Sequence, residues 1–195
     1  AASDVYKRQV EVLDFIDDHS RYLLSITARP AFTGPAVAAE LQRLIDTYGP
    51  PASTLTDNGL VFTARLAGRK GGRNAFEKTL NDNRIQQKNG RPGHPQTQGK
   101  IERFHQTLKR WINAQPPAET IPQLQRQLNE FTAYYNTERP HRSLGRRTPH
   151  QAYTTGPKAE PTFTPKEEWR TRNDVVAASG KVTIRYAGRL YSLGI

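Results

Sequence analysis

His94-Pro95-Gln96-Thr97-Gln98-Gly99-Lys100-Ile101-Glu102-Arg103-Phe104-His105 sets a single carboxylate at the start of an amphipathic helix, among basic and amide side chains. From Ile101 onward the apolar residues Ile101, Phe104, Leu108, Trp111 and Ile112 recur with the spacing of one helix face. Glu102, His105 and Lys109 fall on a neighbouring face, where they can converge on one ligand. A lone acid in so basic a setting is a poor choice for stability alone. It fits a place where a metal ion and a polyanion meet, whereas the plainer reading of the same residue is a solvated helix glutamate.

The charge around this helix is uneven. The chain has 195 residues and a net charge of +11, which favours a polyanionic partner such as nucleic acid. Residues 1–50 hold five Lys/Arg against seven Asp/Glu, whereas residues 84–112 hold seven against Glu102 alone. A second basic island, Arg139, Arg142, Arg146 and Arg147, contains no acid. Clustering of this kind beside a candidate acidic site suggests a groove for phosphates, with Arg91, Lys100, Arg103, Lys109, Arg139 and Arg142 as its DNA contacts. With no cysteine in the chain, disulfides and cysteine-ligated zinc are excluded, and five scattered histidines lack zinc-site spacing. No apolar run is long enough to span a bilayer and nothing at the start reads as a signal peptide, so no membrane partner and a cytoplasmic location are expected. The chain also lacks methionine, including at position 1, and its last residues stop within a strand-like pattern. It reads as a fragment cut at both ends.

Working outward, Val10 to Ile16 and Arg21 to Ala28 form an antiparallel hairpin by pattern, joined by Asp17-Asp18-His19-Ser20. Thr33-Gly34-Pro35 opens a helix whose buried stripe is Val37, Leu41, Leu44, Ile45 and Tyr48, stopped by Gly49-Pro50-Pro51. A short buried strand, Ala52 to Thr56, ends at Asp57-Asn58-Gly59. A helical stretch follows from Thr63, interrupted at Gly68 and Gly71-Gly72, and Arg84 to Lys88 is a further strand. The Glu102 helix ends near Ala114, and Ile121, Leu124, Leu128, Phe131 and Tyr135 mark another helix. Strands first, then strands alternating with helices, give an α/β layer fold. Four parts follow: a junction at 1–9, a core over 10–153, a linker over 154–165 and a small β domain over 166–195.

Asp57 sits at the end of a strand, where α/β sheets place ligand sites, although Asp-Asn-Gly is also an ordinary turn. A strand-end aspartate and a helix glutamate brought together by the fold can hold magnesium, which prefers oxygen ligands. Two such ions can activate a water or a 3′-hydroxyl for in-line attack on a phosphodiester.

Four pieces then appear in order: Asp18-His19-Ser20-Arg21; Thr56-Asp57-Asn58-Gly59; the stretch from His94 to His105; and Tyr135-Asn136 through Arg139-Pro140-His141-Arg142-Ser143-Leu144. Together, over residues 10–153, they resemble the catalytic core of the retroviral-integrase-like transposases of bacterial insertion sequences. The resemblance implies a ribonuclease-H-like fold, a triad of two aspartates and a glutamate, and two bound Mg2+ or Mn2+ ions. Asp57 matches the second aspartate and Glu102 the glutamate. It also implies DNA cleavage and strand transfer on transposon ends and target DNA, a homo-oligomer assembled on DNA, and C-terminal strands beginning a small β-barrel.

One departure counts against activity. The family's first aspartate sits on a strand before the hairpin that starts here at Val10, and Ala1 to Gln9 do not resemble that strand. Asp4 is the only acid there, and Asp14, Asp17 and Asp18 belong to the hairpin, with Asp18 and Arg21 read as a turn pair. The chain is therefore expected to lack one metal ligand. Two readings follow: a transposase fragment, or a catalytically inactive DNA-binding relic of a truncated element. A basic RNA-binding protein would explain the charge but not the ordered motifs. Tyr134, Tyr135, Phe104 and Trp111 are expected in the core, and His94 and His105 are substrate-side candidates.

Overall fold

The computed structural model describes residues 10–64, 72–90, 99–167, 180–186 and 189–194. β1 (Glu11–Ile16) and β2 (Leu23–Arg29) pair antiparallel, in a register that sets Leu13 opposite Thr27 and slips between Phe15 and Ile16. The strand is shorter at its start than the sequence pattern suggests. Arg21 has a left-handed backbone, φ 64°, and belongs to the turn. Asp17 builds that turn: its Oδ2 accepts from the Ser20 amide at 2.7 Å and the Ser20 hydroxyl at 2.6 Å.

Helix α1 (Gly34–Tyr48) follows the expected limits, with Thr33 capping the Ala36 amide. Its stripe of Val37, Leu41 and Ile45 packs with Leu13, Phe76, Leu80 and Ile85 in one core cluster. β3 (Ser53–Thr56) and β4 (Gln86–Asn89) run parallel. Helix α2 (Ala75–Asp82) connects them, as a parallel pair requires. β3 is not the buried strand expected from sequence, since Leu55 is 48% exposed. Thr63 and Ala64 are not helical, and residues 65–71, with Gly68, lie outside the described residues. Residues 59–63 form a turn in which the Phe62 and Thr63 amides donate to the Gly59 carbonyl, and α2 opens on the capping box of Asn74 and Glu77. β4 likewise starts late, because Arg84 is left-handed (φ 59°) and the Ile85 amide still serves the Leu80 carbonyl.

Helix α3 (Gly99–Ile112) and helix α4 (Ile121–Ala133) cover β2. Phe104, Leu108, Leu128, Phe131 and Tyr135 join Leu23, Ile26 and Ala28 in the second core cluster, with Ile101, Trp111 and Ile112 against it. The apolar stripe read from the sequence is thus the buried face. Phe131, with no exposure, is ringed by Phe104, Trp111 and Tyr135 at centroid distances of 5.4–5.9 Å. Tyr134 alone of the four aromatics is exposed.

α4 runs into a π-turn over Tyr134–Glu138. A short 3-10 turn (Arg142–Leu144) and helix α5 (Pro149–Thr155) follow. α5 overruns the proposed linker boundary by two residues because Thr148 and Gln151 form a capping box that carries a full two turns. The residues after it lie against the core: the Lys158 ammonium sits 3.7 Å from the Tyr153 ring centroid. The Lys166 amide donates to Asn81 Oδ1 at 2.9 Å, and its carbonyl accepts from Arg73 at 2.6 Å. β5 (Lys181–Tyr186) and β6 (Arg189–Gly194) form an antiparallel hairpin. A hairpin is what the described residues contain of the expected β-barrel. The junction at 1–9, with Asp4, the loop carrying Arg91 and His94, and Gly71 lie outside the described residues.

Candidate active site

Asp57 directly follows β3, and its side chain is exposed. Oδ1 accepts the Gly59 amide at 2.8 Å, so the Asp-Asn-Gly turn foreseen in the sequence does form. A side chain at Gly59 would place its Cβ 3.0 Å from that oxygen, which fits glycine at this position. The turn is clasped from β4: Asn89 donates to the Asp57 carbonyl at 3.3 Å and Asn58 donates to the Gly90 carbonyl at 3.2 Å. The segment beyond is tied to α2, where Glu77 Oε1 accepts from the Thr63 hydroxyl at 2.7 Å and the Ala64 amide at 3.1 Å. Asp57 therefore occupies a fixed backbone at the sheet's edge. One carboxylate oxygen serves the turn, and no protein donor to the other is found among the described residues.

Glu102 lies in the first turn of α3 and is exposed. Ile101 and Phe104 fix the helix rotation by packing into the core, which leaves Glu102 on the solvent side. Its expected neighbours divide. His105 turns to β1, where its Nε2 and Asp14 Oδ1 are 2.8 Å apart. That hydrogen bond holds the imidazole pKa above its ordinary 6.5, against the opposing effect of partial burial. His105 and Lys109 line a cleft of about 320 Å³ with Asp14, Val12 and Leu108, and Glu102 is not part of its lining. Among the described residues, no three of His, Cys, Asp and Glu stand together as a metal-holding group. Exposed carboxylate oxygens are nonetheless the donor chemistry that suits a hard divalent ion.

The basic residues fall into two kinds. Arg103 and Lys109 are exposed along α3 and Arg142 is exposed at the 3-10 turn. Lys100 instead binds Asp18, with Nζ 2.6 and 2.8 Å from its two oxygens. Arg139 is half-buried: its Nη1 meets His141 Nε2 at 2.8 Å and its guanidinium lies 5.8 Å from the Tyr135 ring centroid. For His141 to accept from a guanidinium, that nitrogen must be unprotonated. Burial, reinforced by the charges of Arg139 and Arg21, pushes its pKa down to about 4. Burial likewise pushes the Tyr135 phenol up to about 12.

Three residues of this region escaped the sequence reading. Asp14 was set aside as hairpin material, Arg21 was read only as a turn partner, and Asn136 was quoted without a role. Asn136 is buried and binds the backbone of Leu23, a partner far away in sequence. An Asn next to a buried Tyr, ahead of a Pro, was the available signal.

Two family models described as integrase core domain match the chain, over residues 2–95 and 83–149. The integrase-designated ORF3 protein of Spiroplasma virus SpV1-C74 is 30% identical over 148 residues, which cover 71% of this chain and 40% of that protein. The chain thus spans well under half the length of this relative. Among solved structures, the catalytic core domain of BIV integrase is 26% identical, with a TM-score of 0.57 over 73% of this chain and 84% of that one. A chain of the simian T-cell lymphotropic virus intasome, solved with PP2A regulatory subunit B56 gamma, is 17% identical. It has a TM-score of 0.57 over 95% of this chain and 74% of that one, and supports the fold alone. The HTLV-2 integrase catalytic core domain with magnesium matches at 18% identity and a TM-score of 0.50, over 74% of this chain and 93% of that one. With its ribonuclease-H-like arrangement, this chain belongs to the integrase core domain family.

Proposed function

We propose that the chain is the core of a transposase that cuts and joins DNA by metal-dependent phosphodiester transfer, with Asp57 and Glu102 as its surviving catalytic and metal-binding carboxylates. The observation that carries this reading is their placement: two exposed carboxylates, one leaving a strand and one opening a helix, in a chain of the integrase core family. Magnesium or manganese, when bound, would supply Lewis acidity toward the scissile phosphate and lower the pKa of an attacking water or 3′-hydroxyl. The chain's own part is to present hard oxygen ligands from a rigid turn and a rigid helix. Arg103 and Lys109, farther along α3, and Arg142 would neutralise DNA phosphates, with Arg91, Lys100 and Arg139 joining them. The family resemblance supports action on transposon ends and target DNA, with the chain assembled on them as an oligomer.

The alternative reading is a relic that binds DNA and does not cut it: the carboxylates assigned here are two, Asp57 and Glu102, where the family resemblance implies three. Strand-transfer assays in magnesium and in manganese, with Asp57→Asn and Glu102→Gln alongside, separate the two. Activity that both substitutions abolish supports the transposase. DNA binding with no turnover supports the relic, and turnover indifferent to both substitutions overturns the assignment of these residues.

A further inference from the structure

The hairpin turn between β1 and β2 carries two consecutive aspartates with different duties. Asp17 does the folding: it accepts from the Ser20 amide and hydroxyl, and its backbone closes the turn with Arg21 and Tyr22. Asp18 contributes nothing of that kind. Its side chain is 75% exposed and its contacts among the described residues are to cations alone. Lys100 Nζ reaches it from the first turn of α3, across 82 positions of sequence. Arg21 Nη1 stands 3.6 Å from Asp18 Oδ1, beyond hydrogen-bond range.

Arg21 is the odd member. It holds a left-handed backbone, costly for a side chain of its size, and such strain persists where surrounding structure enforces it. Its Nη1 is sealed from solvent and has no hydrogen-bond partner among the described residues. A buried guanidinium nitrogen normally finds an acceptor. Here the acidic group it pairs with is the solvent-exposed Asp18, whose two oxygens already serve Lys100. Two cations thus share one spare carboxylate, one turn of helix from Glu102 or less.

We propose that Arg21 and Lys100 form a binding site for a DNA backbone phosphate, and that Asp18 is its built-in competitor, held in the place of the phosphate until DNA displaces it. This rests on the DNA-handling function proposed above and adds to it a residue, Arg21, and a regulatory carboxylate. A phosphodiester offers the same single charge and the same pair of oxygens as Asp18, and its oxygens can approach the guanidinium within hydrogen-bond distance. An exposed ion pair is held weakly enough to be exchanged. Exchange has a signature. Displacing the carboxylate costs part of the DNA-binding free energy, so affinity rises when Asp18 loses its charge.

The test compares the unsubstituted chain with Asp18→Asn and with Asp82→Asn, the latter removing an exposed acid at the far end of α2 as a charge-matched control. Duplex DNA affinity is measured across a salt series. In a second arm inorganic phosphate is titrated while the Lys100 ammonium and Arg21 guanidinium resonances are followed by NMR. Asp18→Asn is expected to bind DNA several-fold more tightly than Asp82→Asn across the salt series. It should also show phosphate shifts at Lys100 and Arg21 at lower concentration than the other two proteins. Equal behaviour of the two variants in both arms overturns the proposal while leaving DNA binding intact. Phosphate shifts confined to Asp18→Asn in proteins that bind no DNA keep the anion site and overturn the DNA-handling function.

Discussion

The side-chain amide of Asn136 closes on the backbone of Leu23 in both directions: Oδ1 accepts the Leu23 amide at 2.9 Å, and Nδ2 donates to the Leu23 carbonyl at 3.0 Å. One asparagine thereby supplies β2 with what a neighbouring strand would have given at that residue. The π-turn is what makes this possible. A widened turn re-aims the side chains after α4, and both Tyr135 and Asn136 point into the core.

Asn136→Ala should leave two buried backbone groups of Leu23 without partners. The expected cost is about 2–3 kcal/mol, seen as a Tm lower by roughly 5–10 °C in thermal unfolding. An unchanged Tm would show that water replaces the amide at no cost.

Phe131 is fully enclosed between β2, α3 and its own helix, against Phe104, Trp111 and Tyr135. Phe131→Ala should cost about 3–5 kcal/mol by denaturant titration, enough to unfold much of the population. Phe131→Leu, which keeps most of the volume, should stay folded.

The two histidines of the site should give pH dependences of opposite sign. His105 has a folded-state pKa raised by Asp14 above its ordinary 6.5. Its contribution is complete below about pH 6.5 and is lost as pH rises through the higher folded value. His141 is pushed down to about 4. Its contribution is present above about pH 6.5 and is lost as pH falls toward 4. Unfolding midpoints across pH 4–8 should therefore lose their alkaline decline in His105→Gln and part of their acid decline in His141→Gln. The same profile in both variants would refute the assignments.

Divalent-metal binding should depend on Asp57 and Glu102 together. Manganese titrated into the chain is expected to bind weakly, as two carboxylates hold such an ion poorly. Asp57→Asn or Glu102→Gln should each weaken it about tenfold or more, with Tm in the absence of metal unchanged because both side chains are exposed. Identical manganese isotherms for all three proteins would remove the metal from this site.

What the sequence determined by itself was the set of elements and their inner faces. The stripe of Ile101, Phe104, Leu108, Trp111 and Ile112 is buried as its spacing requires, since burial of one helix face is a local, periodic property. Thr33 caps α1 and the Asp57 turn forms, because capping and turn chemistry act over three residues or so. Element starts at Leu23, Ala75 and Gln86 were not legible. Each was moved by a backbone choice, the left-handed Arg21 and Arg84 or the Asn74 cap, that the hydrophobic pattern does not encode. Only the tertiary structure decided which polar groups meet. His105 pairs with Asp14 across 91 positions, Lys100 with Asp18 across 82, and Asn136 with Leu23 across 113. Such pairs depend on how α3 and α4 settle on the β1–β2 hairpin, and that docking is set by the apolar core they share with β2, whose members lie far apart in sequence.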